Sequence, residues 1–317
     1  MMLGRYRREL AIAAVLAGVL FGLAIWAPAF YRAQPLLSLA TREAPVLIVT
    51  CGMVLVILTR QIDISVGSLF SICSVVCGLL AAKGWPVVSL LPVGALIGAL
   101  FGALNGALVA GLGLPSIVVT LAMLVALRQG LNLFRQGEFV NLPDGVQWFG
   151  LNQAHGQIIV LVATLVLVAI LACCLHGVAL GRHFYAVGSD AEAARLAGLR
   201  PRWVTFLAFA LLGGLTGIAA IVNVVQSPQV QPLTGNGMEL KVIAAVVVGG
   251  VAISGGRGHL WGAVMGLCLL ACIAPALVHL RIEAYWEKAI QGAIILLAVL
   301  AEGFGGGRNR GHRPAPA

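Results

Sequence analysis

Charge is the first thing this sequence lacks. Only 10% of its 317 residues are Asp, Glu, Lys or Arg, against about 25% in a soluble domain. With 60% hydrophobic residues, the chain has too little polar surface to face water and reads as a membrane protein. Short segments of alternating polarity, the mark of membrane barrel strands, are missing as well. Lysine is scarce: Lys83, Lys241 and Lys288 are the whole set. None follows a GxxxxG run, so the phosphate-binding loop that needs GxxxxGK[ST] does not occur. Seven cysteines, an odd number, lie in apolar stretches without histidines at zinc spacing. They read as small buried apolar residues. No HExxH, no Ser-His-Asp order and no clustered carboxylate pair is present, and the six histidines are scattered. Catalytic residues, a metal site and a cofactor are therefore not expected.

What is abundant is the long apolar run. A spanning helix takes roughly 20 apolar residues, and only helices and closed barrels satisfy their backbone in lipid. The expected fold is all-α: a polytopic membrane protein of about ten transmembrane helices. The spans fall near 10–27, 44–59, 64–82, 87–112, 116–134, 156–176, 203–225, 240–254, 260–279 and 286–302. The start, Met1 to Trp26, has the basic-then-apolar form of a signal peptide. It is read as an uncleaved first helix, with Ala27-Pro28-Ala29 a minor cleavage option.

The formal charge of +9 is no nucleic-acid signal. The arginines concentrate at the N-terminus (Arg5, Arg7, Arg8), in a polar insert (Arg182, Arg195, Arg200, Arg202) and near the end (Arg308, Arg310, Arg313). The positive-inside rule places all three groups in the cytoplasm. An even number of crossings agrees, with both termini cytoplasmic and 177–202 inside; an odd number would strand one terminal cluster. The organisation expected is a single transmembrane domain over 1–304 and a flexible basic tail over 305–317. Residues 135–155, with Asn141-Leu-Pro-Asp-Gly145 and Trp148, read as an outer loop carrying a short interfacial helix.

The insert Gly181–Arg202 is the longest polar interruption between two apolar spans, and its chemistry is helical. Asp190 and Glu192 fall where acids suit a helix start. Ala193, Ala194 and Ala197 favour helix. Gly198 suits the position just past a helix end, and Pro201 prevents continuation. A short exposed helix of this kind is a docking element for a soluble partner.

Within the spans, Gly94, Gly98, Gly102 and Gly106 recur every four residues on one helix face and predict close helix packing. Asn105 beside them either lines a pathway or ties two helices together. Arg60 and Asp63 are three residues apart, placed to pair on one helical turn between two spans. Gly249-Gly250 and Gly255-Gly-Arg-Gly258 read as a tight cytoplasmic turn. Asn223, Gln226, Gln229, Gln231, Asn236 and Glu239 gather near one outer rim, where they could meet a polar solute.

Taken in order, several stretches resemble the transmembrane permease subunits of bacterial binding-protein-dependent ABC importers, in the ribose, rhamnose and autoinducer-2 branch. They are Ile62–Ser68 (IDISVGS), Gly102–Gly106 (GALNG), Pro115–Leu121 (PSIVVTL), Gly181–Gly188 (GRHFYAVG), Glu192–Gly198 (EAARLAG) and Glu239–Gly250 (ELKVIAAVVVGG). Together they cover about residues 40–300. Where the branch more often has Gly-Gly before the Ile-Asp motif, this chain has Arg60-Gln61. That form, with Leu280–Trp286 (LRIEAYW), leans toward the autoinducer-2 and rhamnose permeases.

The resemblance implies a multi-pass subunit of the bacterial inner membrane, without enzyme activity of its own. It implies a second permease chain, identical or a sister, ATP-binding cassette ATPase subunits and an extracytoplasmic solute-binding protein, besides membrane lipid and without nucleic acid. Glu192–Gly198 would be the coupling helix seated in the ATPase. The residues expected to couple are Gly188, Asp190, Glu192, Ala193, Ala194, Arg195 and Gly198; those expected on the translocation path or its gate are Asp63, Ser65, Asn105, Asn223 and Gln226. A secondary transporter working without an ATPase is the rival. It would need buried ionisable groups, for which Arg128 and Asp63 are the candidates, and broken helices repeated in the two halves, which the sequence does not display.

Overall fold

A computed structural model describes residues 7–283 and 285–307. The chain is a helical bundle. Its helices are α1 (Arg7–Trp26), α2 (Ala33–Leu58), α3 (Val66–Ala82), α4 (Val87–Gly106), α5 (Ser116–Arg135), α6 (Gln153–Gly177), α7 (Ala179–Ser189), α8 (Ala191–Leu196), α9 (Pro201–Val224), α10 (Met238–Val248), α11 (Leu260–Ala271), α12 (Ile273–His279) and α13 (Tyr285–Gly307). A π-helical turn, Ala107–Gly111, prolongs α4. Among the described residues six helical segments are long and apolar enough to cross a membrane: Ala33–Leu58, Val87–Gly111, Ser116–Arg135, Gln153–Gly177, Pro201–Val224 and Leu260–Val278. Val66–Ala82 is apolar but shorter, and α10 has 11 residues. The expected helical fold is therefore present, with α1 covering the expected first segment over 20 residues, while the expected segments near 64–82 and 240–254 come out short.

The segment of α2 is 89% buried and that of α9 67%, whereas those of α4, α5 and α6 are 22–28% buried. So α2 and α9 form the centre and the other three lie around them. Apolar side chains on the outside of a soluble protein would be a liability. Here Leu96, Leu100, Val118, Val162 and Leu165, all exposed, form the surface a lipid chain can wet.

The glycine stripe explains how α4 reaches α9. A side chain at Gly98 would collide with the Gly213 carbonyl oxygen, and one at Gly213 with that of Gly98. Gly94 meets Gly217 in the same reciprocal way, and Gly102 lies on the Phe209 carbonyl. The stripe on α4 is legible as periodicity; its counterpart on α9, Gly213 and Gly217, is not.

At one end of the bundle two loops pair. Strand β1 (Val140–Asn141) runs antiparallel to β2 (Gln229–Val230), with Val140 opposite Val230. The Trp148 N–H donates to the Val225 carbonyl at 2.7 Å, beside a short 3-10 turn, Gln147–Gly150. The opposite end carries α7 and α8. The expectation that every cysteine is buried fails: Cys51, Cys73, Cys77 and Cys272 are buried, but Cys173, Cys174 and Cys268 are exposed on apolar helix faces. A thiol is apolar enough to face lipid. Helix α13 runs to Gly307, three residues into the expected tail, and the remainder of that tail, 308–317, lies outside the described residues, as do Arg5 and the start of the first basic cluster.

Candidate functional site

The expected docking helix forms as α8. The Asp190 Oδ1 accepts from the Glu192 and Ala193 amides at 2.9 and 3.0 Å. It caps two donors that have no partner inside the helix. Those amide bonds, from Ala193 first, hold the Asp190 carboxyl below its ordinary value, and the Arg60 charge adds to the effect. Glu192 and Arg195 pair side by side at 2.6 and 3.1 Å, both well exposed. Ala194 alone of this turn is buried, at 5% exposure. Gly198 takes a left-handed φ of +86° while the Leu199 amide closes back on the Ala194 carbonyl at 3.0 Å. That ending suits glycine because it has no Cβ to clash. Leu196 stands 80% exposed at the tip. The unit is thus a rigid, capped turn with a leucine and an ion pair facing outward.

This unit is wired to the rest of the bundle through Arg60. The expected Arg60–Asp63 pair does not form. Arg60, with φ +63°, instead donates from Nε to the Gly188 carbonyl and from Nη2 to that of Ser189. The two carbonyls end α7, where orphan acceptors and the negative end of the helix dipole favour a cation. Gly188 is pressed against the Leu58 carbonyl and the Gly256 amide, leaving no room for a side chain. The Gly256 amide also donates to the Leu58 carbonyl at 3.0 Å, and the Tyr185 hydroxyl to that of Gly258 at 3.0 Å. The expected tight turn at 249–258 is therefore part of the same node. The ends of α2 and α7 and the loop between α10 and α11 meet there, with α8 hanging from it.

Asp63 has a different role. Its Oδ1 accepts from the amide and hydroxyl of Ser65 at 2.8 and 2.6 Å. Asn105 donates to Asp63 Oδ2 at 3.3 Å and to Ser65 Oγ at 2.9 Å. The Ile62 and Ile64 amides donate to Ser116 and Thr120 on α5 at 3.3 and 3.2 Å. Asp63, Ser65 and Asn105 are each at most 1% exposed. Of the two roles open to Asn105, the contacts match tying helices together: it joins α4 to the non-helical linker before α3. Such a linker inside a bundle needs its amides satisfied, and these side chains satisfy them.

Asn223 and Gln226 are brought to neither place. They sit half-buried at the far end of α9, where Gln226 bonds the Val222 carbonyl at 2.9 Å. Glu239, expected on the same rim, is 6% exposed and pairs with Arg128 of α5 at 3.2 Å. Two residues on, Lys241 lies 2.8 Å from both carboxyl oxygens of Glu43 on α2. Sequence reasoning does not connect any of these four, because the partners are separated by 111 and 198 positions.

The structure is a bundle of helices with lipid-compatible outer faces and an exposed, capped helix wired to its core, an arrangement suited to a membrane transport subunit. Comparison with known proteins agrees. The profile of the family described as branched-chain amino acid transport system / permease component matches residues 35–299. The autoinducer 2 import system permease protein LsrC of Escherichia coli (strain K12 / DH10B) is 36% identical over 275 residues, covering 86% of this chain and 80% of that protein. LsrC of Shigella flexneri shows the same identity and coverage. LsrC of Salmonella choleraesuis (strain SC-B67) is 34% identical, covering 86% of this chain and 79% of its own length. No solved structure matches the chain. The chain belongs to this permease family and is a multi-pass, inner-membrane permease subunit of an ABC-type import system.

Proposed function

We propose that this subunit forms the translocation path for a sugar or sugar-like solute of the rhamnose, autoinducer-2 or ribose type. In this reading ATP hydrolysis in separate ATPase subunits drives it, and an extracytoplasmic binding protein delivers the solute. Ten crossings leave both termini in the cytoplasm, residues 1–304 act as one transmembrane domain, and a second permease chain, identical or a sister, completes the path. The lean toward autoinducer-2 draws on the LsrC relatives and on the Arg60-Gln61 form of the motif.

The observation that carries the proposal is the Arg60 node. A push on α8 reaches Gly188 and Ser189 through α7, then Arg60, then the junction of α2 and α3 by way of direct hydrogen bonds. Gly188, Asp190, Glu192, Ala193, Ala194, Arg195 and Gly198 lie on that route. An ATPase dimer that closes on ATP can shift the permease only if ATP binds the closed assembly more tightly than the open one. The capped α8 is the lever that would transmit the difference. Exposed Arg195, with Arg200 and Arg202, would steer an acidic ATPase surface into register. Asp63, Ser65 and Asn105 then hold the joint that bends, and Asn223 and Gln226 stand at the opposite mouth.

The test is to purify the chain from its native host in mild detergent and weigh the assembly by native mass spectrometry. Two ATPase chains bound to a permease pair are expected. A stable particle without ATPase, together with ATP-independent uptake in vesicles, would refute the reading in favour of a secondary transporter.

A further inference from the structure

The sequence displays no pair of broken helices repeated in its two halves, yet two helices of the structure start within the bundle. The first turn of α10 holds Glu239 and Lys241. Their partners lie mid-helix: Glu43 is ten residues into α2, about 15 Å along its axis, and Arg128 twelve residues into α5, about 18 Å along. So α10, with only 11 residues, begins near half height. Helix α3 also begins inside, after the linker pinned by Asp63, Ser65 and Asn105. The two beginnings touch. Gly67 faces the Gly235 carbonyl and Gly235 faces that of Gly67, both too close for a Cβ, and the Gly235 amide donates to Ser71 Oγ at 3.0 Å.

Glu239 occupies this meeting point. Its Oε2 lies against Gly67 in the first turn of α3, so two helix N-termini and Arg128 surround one carboxyl group. That field explains why an acid is tolerated there. It does not explain the hydrogen bonding. Oε2 is fully buried and accepts no hydrogen bond among the described residues, although an unsatisfied acceptor of this kind carries a cost. Arg128 is only partly buried, with its side chain 21% exposed, and engages Nη2 alone among the described residues. A spare acceptor behind a spare fork of donors is an incomplete site.

From this we infer that Arg128 and Glu239 form a solute-contact site where α3 and α10 meet, taking a neutral vicinal diol. One hydroxyl would donate to the free Glu239 oxygen while the guanidinium donates to the diol oxygens. Without solute the two side chains would satisfy one another in part, as they do through Arg128 Nη2 and Glu239 Oε1; the solute enters as α10 parts from α3. A neutral polyol fits because the pair is already balanced in charge. An acidic sugar would set a second anion against Glu239. This places recognition at a different point from Asp63 and Asn105, which are buried without an open face.

The inference rests on the permease reading above, and one experiment separates the two. The complete transporter, with its ATPase and binding protein, is reconstituted in vesicles. Uptake is measured for whichever of ribose, rhamnose or autoinducer-2 the wild type carries, with the corresponding sugar acid as competitor. No ATP-driven uptake by the wild type refutes the permease reading itself.

With wild-type uptake present, Glu239→Gln is expected to raise KM by about tenfold or more, the worth of one hydrogen bond to a charged group. It should also lower the inhibition constant of the acid relative to that KM, because the repelling charge is gone. A merely structural pair would leave this ratio where it was, and an unchanged ratio overturns the inference. If Glu239→Gln fails to assemble, the exchange Arg128→Glu with Glu239→Arg decides. Assembly with a raised KM supports the site. Assembly with wild-type KM and ratio, or failure of both variants to assemble, reduces the pair to a folding element and overturns it.

Discussion

Replacing Gly98 by alanine puts a single methyl group into the contact between α4 and α9. The new carbon would fall on the Gly213 carbonyl oxygen, well inside the roughly 3.5–4 Å that non-bonded atoms need. Neither side can yield by rotating a side chain, since both are backbone. The helices have to part, and they part along the whole seam that includes Gly94 with Gly217 and Gly102 with Phe209. Overpacking of this kind costs about 1–3 kcal/mol. At about 2 °C per kcal/mol for a chain longer than 200 residues, the melting temperature in detergent should fall by about 2–6 °C. Gly130→Ala on α5 is the matched control, because nothing lies within 4 Å of its added Cβ. There alanine gains up to about 1 kcal/mol of helix propensity, and the melting temperature should hold or rise. The double variant Gly98→Ala with Gly213→Ala should cost less than the sum of its parts, because one separation of the two helices accommodates both methyl groups. The assay is a thermal melt of the purified protein by tryptophan fluorescence. If Gly98→Ala melts at or above wild type, the backbone-to-backbone approach of these helices is wrong.

Three further outcomes follow from other contacts. Lys241→Ala should destabilise by about 3–5 kcal/mol by leaving Glu43 buried beside only the exposed Arg42, and adding Glu43→Leu should recover most of the loss; a melt in which the single variant matches wild type would contradict this. Asp190→Ala should speed amide exchange at Glu192 and Ala193, while Asp190→Asn, which keeps an acceptor, should not. Because the Asp190 carboxyl is held below its ordinary value of 3.8, its capping contribution is fully present above that value. It is lost only as pH falls below it, so exchange at those amides, corrected for intrinsic rate, should show no acid-driven opening between pH 5 and 8. Glu192→Ala and Gly198→Val should lower transport and coupled ATP hydrolysis in the assembled complex while the permease still inserts, whereas normal transport in both would remove α8 from the coupling route.

Features of this protein that depend on neighbours along the chain are legible in its sequence. The deficit of charge alone requires lipid, because burial of so much apolar surface has no other solvent. The glycine period on α4 is a property of one helix, and so is the capped turn from Asp190 to Gly198, whose acceptor, alanines and left-handed glycine are set by local sterics and hydrogen bonding. What tertiary structure decided is which distant groups share a place. Arg60 is near Asp63 in sequence and bonds Gly188 instead, because two orphan carbonyls at a helix end satisfy a guanidinium better than a carboxyl already taken by Ser65 and Asn105. Gly213 and Gly217 have no meaning until α9 is laid on α4. Glu239 reads as part of a hydrated rim, since polar residues precede it; only the placement of a half-length α10 beside α3, within reach of Arg128 on α5, draws it inward. Local propensity follows from the chain's covalent neighbours, whereas a buried charge takes its partner from whichever helix the packing brings alongside.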